Sequence, residues 1–325
     1  MSPQGYIHDK NMLKVHANAR QLVAPLKLRP LRSIGEGYKG VVWLCETADK
    51  GSDARGSKYR VVKLGLEVSV IQNEVSIMLR PDHPGILKLQ NCHKGSKALV
   101  LPYIPGRTLK DFQNQLNSER QRTVPTAFVY HVFVSLLDII HALHTRRDSN
   151  GLLESVAHKD IWIGNIMISC TELENGFPKI WLIDFGNAEV GDLTADLRRR
   201  KALQFDMEAL GHVLHCLAHS VGWFCKGRQA DGTCAKFSMP KDGNPGSHPD
   251  HCQMPTSGFE RIDPEFRTEK FDQLLRDLSQ HGVQEPGNDA AGISERYMAW
   301  AVERRGACRC DECSEALSMG FENEI

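Results

Sequence analysis

An α+β fold of two lobes, a small strand-rich one followed by a larger, mainly helical one, is predicted by two observations. Short apolar runs broken by glycines fill residues 28–104, and helical spacing of apolar residues takes over after Pro105 and Gly106. Residues 1–27 then stand as an N-terminal extension and residues 105–325 as the second lobe. That second lobe contains an irregular stretch near 222–258, rich in Gly, Pro, Ser, Asp and Lys.

The first lobe carries strands at Leu31 to Ile34, Gly40 to Cys45, Tyr59 to Leu64 and Ala98 to Leu101. A helix interrupts them: Val70, Ile71, Val75, Met78 and Leu79 fall at helical spacing over Val68 to Leu79, and Pro81 stops it. In the second lobe, Pro125 to His144 shows a wide apolar face through Phe128, Val132, Leu136, Ile140 and Leu143. Ile166 to Ile168 and Ile180 to Ile183 form a hairpin, Phe205 to His219 a further helix, and the Phe271 to Leu278 and Ile293 to Arg304 stripes two more.

Lys plus Arg and Asp plus Glu balance at 40 each, so no overall field attracts nucleic acid or anionic lipid. Met1 to Arg20 lacks the apolar run of a secretory signal, and no stretch reads as long, apolar and uncharged enough to span a bilayer. The expectation is a cytoplasmic protein, the nucleus not excluded, with neither nucleic acid nor membrane as partner. The ten cysteines are then reduced thiols. Cys308, Cys310 and Cys313 make a compact cluster, but no second Cys or His pair completes a zinc site, and free thiols are the favoured reading.

Chemistry first shows in Gly35-Glu36-Gly37-Tyr38-Lys39-Gly40-Val41-Val42, a glycine-rich turn between strands that lets backbone N–H groups approach phosphate oxygens. It lacks the Gly-Lys-Ser/Thr ending of a P-loop, and a strand rather than a helix follows. Lys63 ends the next apolar run and Glu74 lies in the helix after it, a carboxylate placed to aim a phosphate-binding ammonium. The gap between the two is short, which leaves Glu67 as a second candidate partner. His158-Lys159-Asp160-Ile161-Trp162-Ile163-Gly164-Asn165 fits H-x-D-x-x-x-x-N, and Asp184-Phe185-Gly186 follows one hairpin later. Two carboxylates and an amide at one mouth of a cleft are what phosphoryl transfer asks of a protein: groups to hold a metal and position a hydroxyl.

In this order the motifs resemble those of the eukaryotic-like protein kinase superfamily, from Gly35 to about Gly211. The resemblance implies a kinase-like two-lobe fold, ATP and Mg2+ as cofactors, and a protein substrate phosphorylated on serine or threonine. By that resemblance Gly35, Gly37 and Gly40 cover the phosphates and Lys63 holds them, oriented by Glu74. Asp160 is the catalytic base, and Asn165 and Asp184 hold magnesium. Ile34, Val42, Val61, Leu101 and Met167 sandwich adenine, Pro102 offers its carbonyl and Ile104 its N–H to the base. Asp206 corresponds to a buried aspartate at the start of a central helix.

The chain also departs from the family pattern. Lys159 replaces the usual arginine, and Trp162 stands where a lysine near the γ-phosphate is usual. The segment from Asp184 to Asp206 is short, lacks Ala-Pro-Glu and offers Thr194 as its one hydroxyl residue. A small-molecule kinase of the same superfamily, or a binding module without turnover, therefore stands beside the protein-kinase reading. The run Arg198-Arg199-Arg200-Lys201 is read as a solvated charge run rather than a grip for an acidic substrate. His212, His215 and His219 are read as buried core histidines rather than metal ligands.

Overall fold

The computed structural model describes residues 15–37, 40–47, 57–92, 97–120, 124–192, 197–218, 268–279 and 284–307. The stretch 222–258, Thr194, His219 and the Cys308 to Cys313 cluster lie outside these residues.

A helix, α1 (Ala19–Val23), and a short 3-10 turn (Ala24–Leu26) lead into β1 (Leu28–Gly37), β2 (Gly40–Thr47) and β3 (Tyr59–Gly65). Helix α2 (Val68–Met78) follows, then β4 (Asn91–Cys92) and β5 (Ala98–Pro102). These strands form one five-stranded antiparallel sheet ordered β1-β2-β3-β5-β4. Strand alternation sorts its side chains. Val62, Leu64, Ala98 and Val100 face a small cluster that includes Val15, Ala19 and Val23, whereas Leu99 faces the larger core shared with α2. Residues 15–27, part of the N-terminal extension, cover the far face of its sheet. An open sheet with two apolar faces needs a layer on each.

The second lobe begins with β6 (Gly106–Thr108), α3 (Leu109–Arg120) and α4 (Thr126–His144). After β7 (Ser155–Ala157) come β8 (Ile166–Glu174) and β9 (Phe177–Leu182), then a 3-10 turn (Phe185–Asn187) and β10 (Glu189–Gly191). Helices α5 (Leu197–Ala218), α6 (Glu269–Asp277) and α7 (Ala290–Ala307) complete the described chain. Asn175 and Gly176 both have positive φ, 54° and 83°, and close β8 onto β9 as a two-residue hairpin turn. That hairpin pairs with β6, and the short strands β7 and β10 pair with each other.

Helix α4 corrects one expectation. Its 19 residues are long and apolar enough to cross a membrane. Phe128, Val132, Phe133, Leu136, Leu137, Ile140 and Leu143 are nonetheless buried in the main core with residues of α5, α6 and α7, so the apolar surface is spent on protein. A second correction concerns α5, which starts at Leu197 rather than Phe205: Arg200 and Lys201 are exposed helical residues, without the apolar period that marks the buried turns after Phe205.

Candidate active site

The two lobes meet where β3, α2 and the segments flanking the β8–β9 hairpin converge. Strand alternation turns Val61 and Lys63 away from Val62 and Leu64, toward the cleft. Helix α2 starts three residues after β3 ends, so the short connection carries Glu74 back over Lys63. Lys63 Nζ lies 2.8 Å from Glu74 Oε2, with both side chains nearly fully buried, and 2.5 Å from Asp184 Oδ1. Glu67, the second candidate partner, stands at the N-cap of α2 and accepts from Ser69 Oγ.

Burial opposes the charge on Lys63, but the carboxylates of Glu74 and Asp184 outweigh it and raise its pKa above the ordinary lysine value. Burial likewise opposes the charge on Asp184; the Lys63 ammonium and the Gly186 N–H reverse that effect and hold its carboxyl below the usual range.

Asp184 adopts a left-handed backbone, φ 65°, and its Oδ1 accepts from Gly186 N at 3.1 Å, capping the 3-10 turn. Lys159 is also left-handed, φ 62°. Non-glycine residues in that region cost on the order of 1–3 kcal/mol and persist where the surroundings fix them. What fixes Lys159 is Asp206. Its carboxylate, with no exposed surface, accepts from His158 N and Lys159 N at 2.7 Å each and meets His144 Nε2 at 3.1 Å. His158, its ring against Phe185, has its pKa lowered by burial, which outweighs the carboxylates of Asp206, Asp160 and Asp184. Lys159 Nζ reaches Glu189 on β10 at 3.0 Å.

On this support the loop presents Asp160, half-buried, and Asn165. Asn165 Nδ2 donates to Asp160 Oδ2 at 3.0 Å and to the Asp160 carbonyl at 2.9 Å, and Asn165 O accepts from Ile183 N at 3.0 Å. That backbone bond sets Asn165 beside Asp184. Asn187 Nδ2 also donates to Asp160 Oδ2, at 3.1 Å. Neither Asn187 nor Glu189 stood out in the sequence. Their place directly after Asp-Phe-Gly was the available signal.

Above these groups, Gly35 pairs with Val42 and Gly37 with Gly40 at the β1–β2 turn, whose tip lies outside the described residues. A side chain on Gly40 would overlap the Leu64 carbonyl, so the close approach of β2 to β3 requires glycine there. Ile34 is exposed, and Val42, Val61, Leu101 and Met167 are half-buried, whereas Pro102 and the Ile104 side chain are buried. Four half-buried apolar side chains between the lobes give a flat group a surface to lie on. On the far side, the Trp162 indole folds over Gly164, where any side chain would collide with it, and Lys110 Nζ lies 5.4 Å from its ring centroid.

The histidines of α5 depart from expectation. His212 and His215 are half-buried rather than buried, and His212 lies 4.0 Å from Glu208. No group of three or more His, Cys, Asp or Glu side chains among the described residues has metal-site geometry.

Comparison with known proteins gives the same family as the motifs. The protein kinase domain model matches residues 28–202. The crystal structure described as Rad53 kinase domain and SCD2 is similar in fold, with a TM-score of 0.55 and 16% sequence identity over 92% of this chain and 98% of that chain. No curated protein matches. With more than half its length covered by that family model, the chain belongs to the protein kinase domain family.

Proposed function

We propose that the protein is a serine/threonine-type protein kinase that transfers the γ-phosphate of Mg-ATP to a protein hydroxyl. The observation that carries this reading is the buried Lys63–Glu74 ion pair meeting Asp184, with Asp160 and Asn165 on the adjoining loop. Lys63, its charge secured by two carboxylates, holds the α- and β-phosphates, and Glu74 keeps it aimed. The oxygens of Asp184 and Asn165 are hard donors of the kind that would hold magnesium, and Lys63 lies against Asp184. Bound magnesium supplies charge neutralisation at the β- and γ-phosphates. The acceptor oxygen bonds to the γ-phosphorus as the bond to the β–γ bridging oxygen breaks, and its proton passes to Asp160. Adenine lies among Val42, Val61, Leu101 and Met167, beneath Ile34.

A small-molecule acceptor is the second reading, favoured by one observation: α5 opens at Leu197, so little chain remains after β10 to build a platform for a peptide.

The test is labelled γ-phosphate transfer from Mg-ATP by wild type and Asp160→Ala, offered a generic protein and a panel of small hydroxylated acceptors. Protein labelling that falls by roughly 10²–10⁴-fold in Asp160→Ala is expected. Labelling of small acceptors alone would favour the second reading. Absence of transfer to every acceptor would reject both.

A further inference from the structure

We propose that Asn187 is a positioning residue for the catalytic carboxylate: its side-chain amide fixes the rotation of Asp160 and couples it to the turn that carries Asp184. This rests on reading Asp160 as the base.

A carboxylate's last torsion is broad, so a single hydrogen bond leaves it free to swing. Asp160 has two. Asn165 donates to Oδ2 at 3.0 Å and Asn187 donates to the same oxygen at 3.1 Å. Among the described residues no donor reaches Oδ1, which leaves that oxygen to accept the proton of an incoming hydroxyl. Charge-assisted bonds of this kind are the stronger class, and a pair from different segments defines a plane as well as a distance.

The two donors are not equivalent. Asn165 belongs to the same loop as Asp160 and moves with it. Asn187 ends the 3-10 turn that Asp184 caps, on a segment anchored by buried Phe185 and Gly186. Ala188 beside it is buried as well, whereas the Asn187 side chain is exposed and reaches Asp160 from the surface of the turn. The turn can therefore leave its place only by releasing the base, so Asp160 is fully restrained only when Asp184 is in position.

The experiment uses the full chain with Asn187→Ala, Asn187→Asp and Asn187→Gln. Asn187→Asp keeps the shape but replaces the donor with a carboxylate that repels Asp160; Asn187→Gln restores a donor on a longer stem. The expected result is a kcat about tenfold lower in Asn187→Ala and lower again in Asn187→Asp, partial recovery in Asn187→Gln, and a KM for ATP within about twofold throughout. Unchanged kcat in the Ala and Asp variants, or a loss confined to KM, would overturn the proposal. A readout without turnover separates it from the kinase reading: the Asn187 side-chain amide resonance should shift on Asp160→Ala. If wild type transfers no phosphate, the kinase reading fails, and the hydrogen bond stands with that shift or falls without it.

Discussion

The two loops that face each other across the cleft are held in opposite ways. The lower loop, residues 158–165, rests on Asp206, a carboxylate with no exposed surface that takes two backbone N–H bonds at 2.7 Å. The glycine-rich turn above it is held by strand pairing, by long contacts from Ser33 Oγ and by a 3.5 Å pair between His16 and Glu36, in which Glu36 is 58% exposed. Leu31 and Ile34 on its first strand are exposed as well. Donors and acceptors that must meet a transition state gain from being fixed in advance, whereas a cover that must admit and release a nucleotide gains from weak ties. In this protein the fixation lies beneath Asp160 and the looseness lies at the glycine-rich turn.

The sharpest way to break that contrast is Asp206→Ala. It strands two backbone donors and His144 in the core, and a loss of about 3–5 kcal/mol is expected in urea denaturation, together with loss of phosphotransfer. A smaller change would leave the loop fixed by something other than Asp206.

A mid-sized effect comes from pH. Burial pushes His131 down to about 4, and its Nε2 lies 3.0 Å from the Pro178 carbonyl with its ring stacked on Phe177. A folded-state value below the ordinary histidine value of about 6.5 means the folded protein prefers the neutral ring. Its contribution is complete above about 6.5 and is lost progressively as pH falls toward 4. Thermal melts at pH 7 and pH 5 should show that loss in wild type and a smaller one in His131→Gln; equal losses would place the acid sensitivity elsewhere, His158 being the next group to substitute.

The smallest effect belongs to the upper loop. Glu36→Ala removes an exposed pair and should change stability by less than about 0.5 kcal/mol. A larger shift would show that the glycine-rich turn is held from His16, ahead of α1, and not by its strands alone.

Much of this architecture was legible because burial leaves a period in the sequence. Tyr59 to Leu64, Val68 to Leu79 and Pro125 to His144 were read within a residue or so of β3, α2 and α4. The strands β6, β7 and β10, three residues each, are too short to show any period. The opening turns of α5, basic and without an apolar stripe, were invisible for the same reason. In the site, residues tied to fixed spacings could be named in advance, and the structure brings Lys63, Glu74, Asp160, Asn165 and Asp184 together. Glu189 beside Lys159 was missed despite its place after Asp-Phe-Gly, because the pairing of β7 with β10 that brings it near Lys159 leaves no period in the sequence.

Trp162 and Gly164 extend the argument from chemistry to inheritance. Because the indole already occupies the space over the glycine, the two positions cannot drift independently. Enlarging residue 164 first forces a collision, whereas replacing the tryptophan first opens room for either change. A lineage carrying this pair can therefore acquire a side chain at 164 by one order of mutations and not by the other.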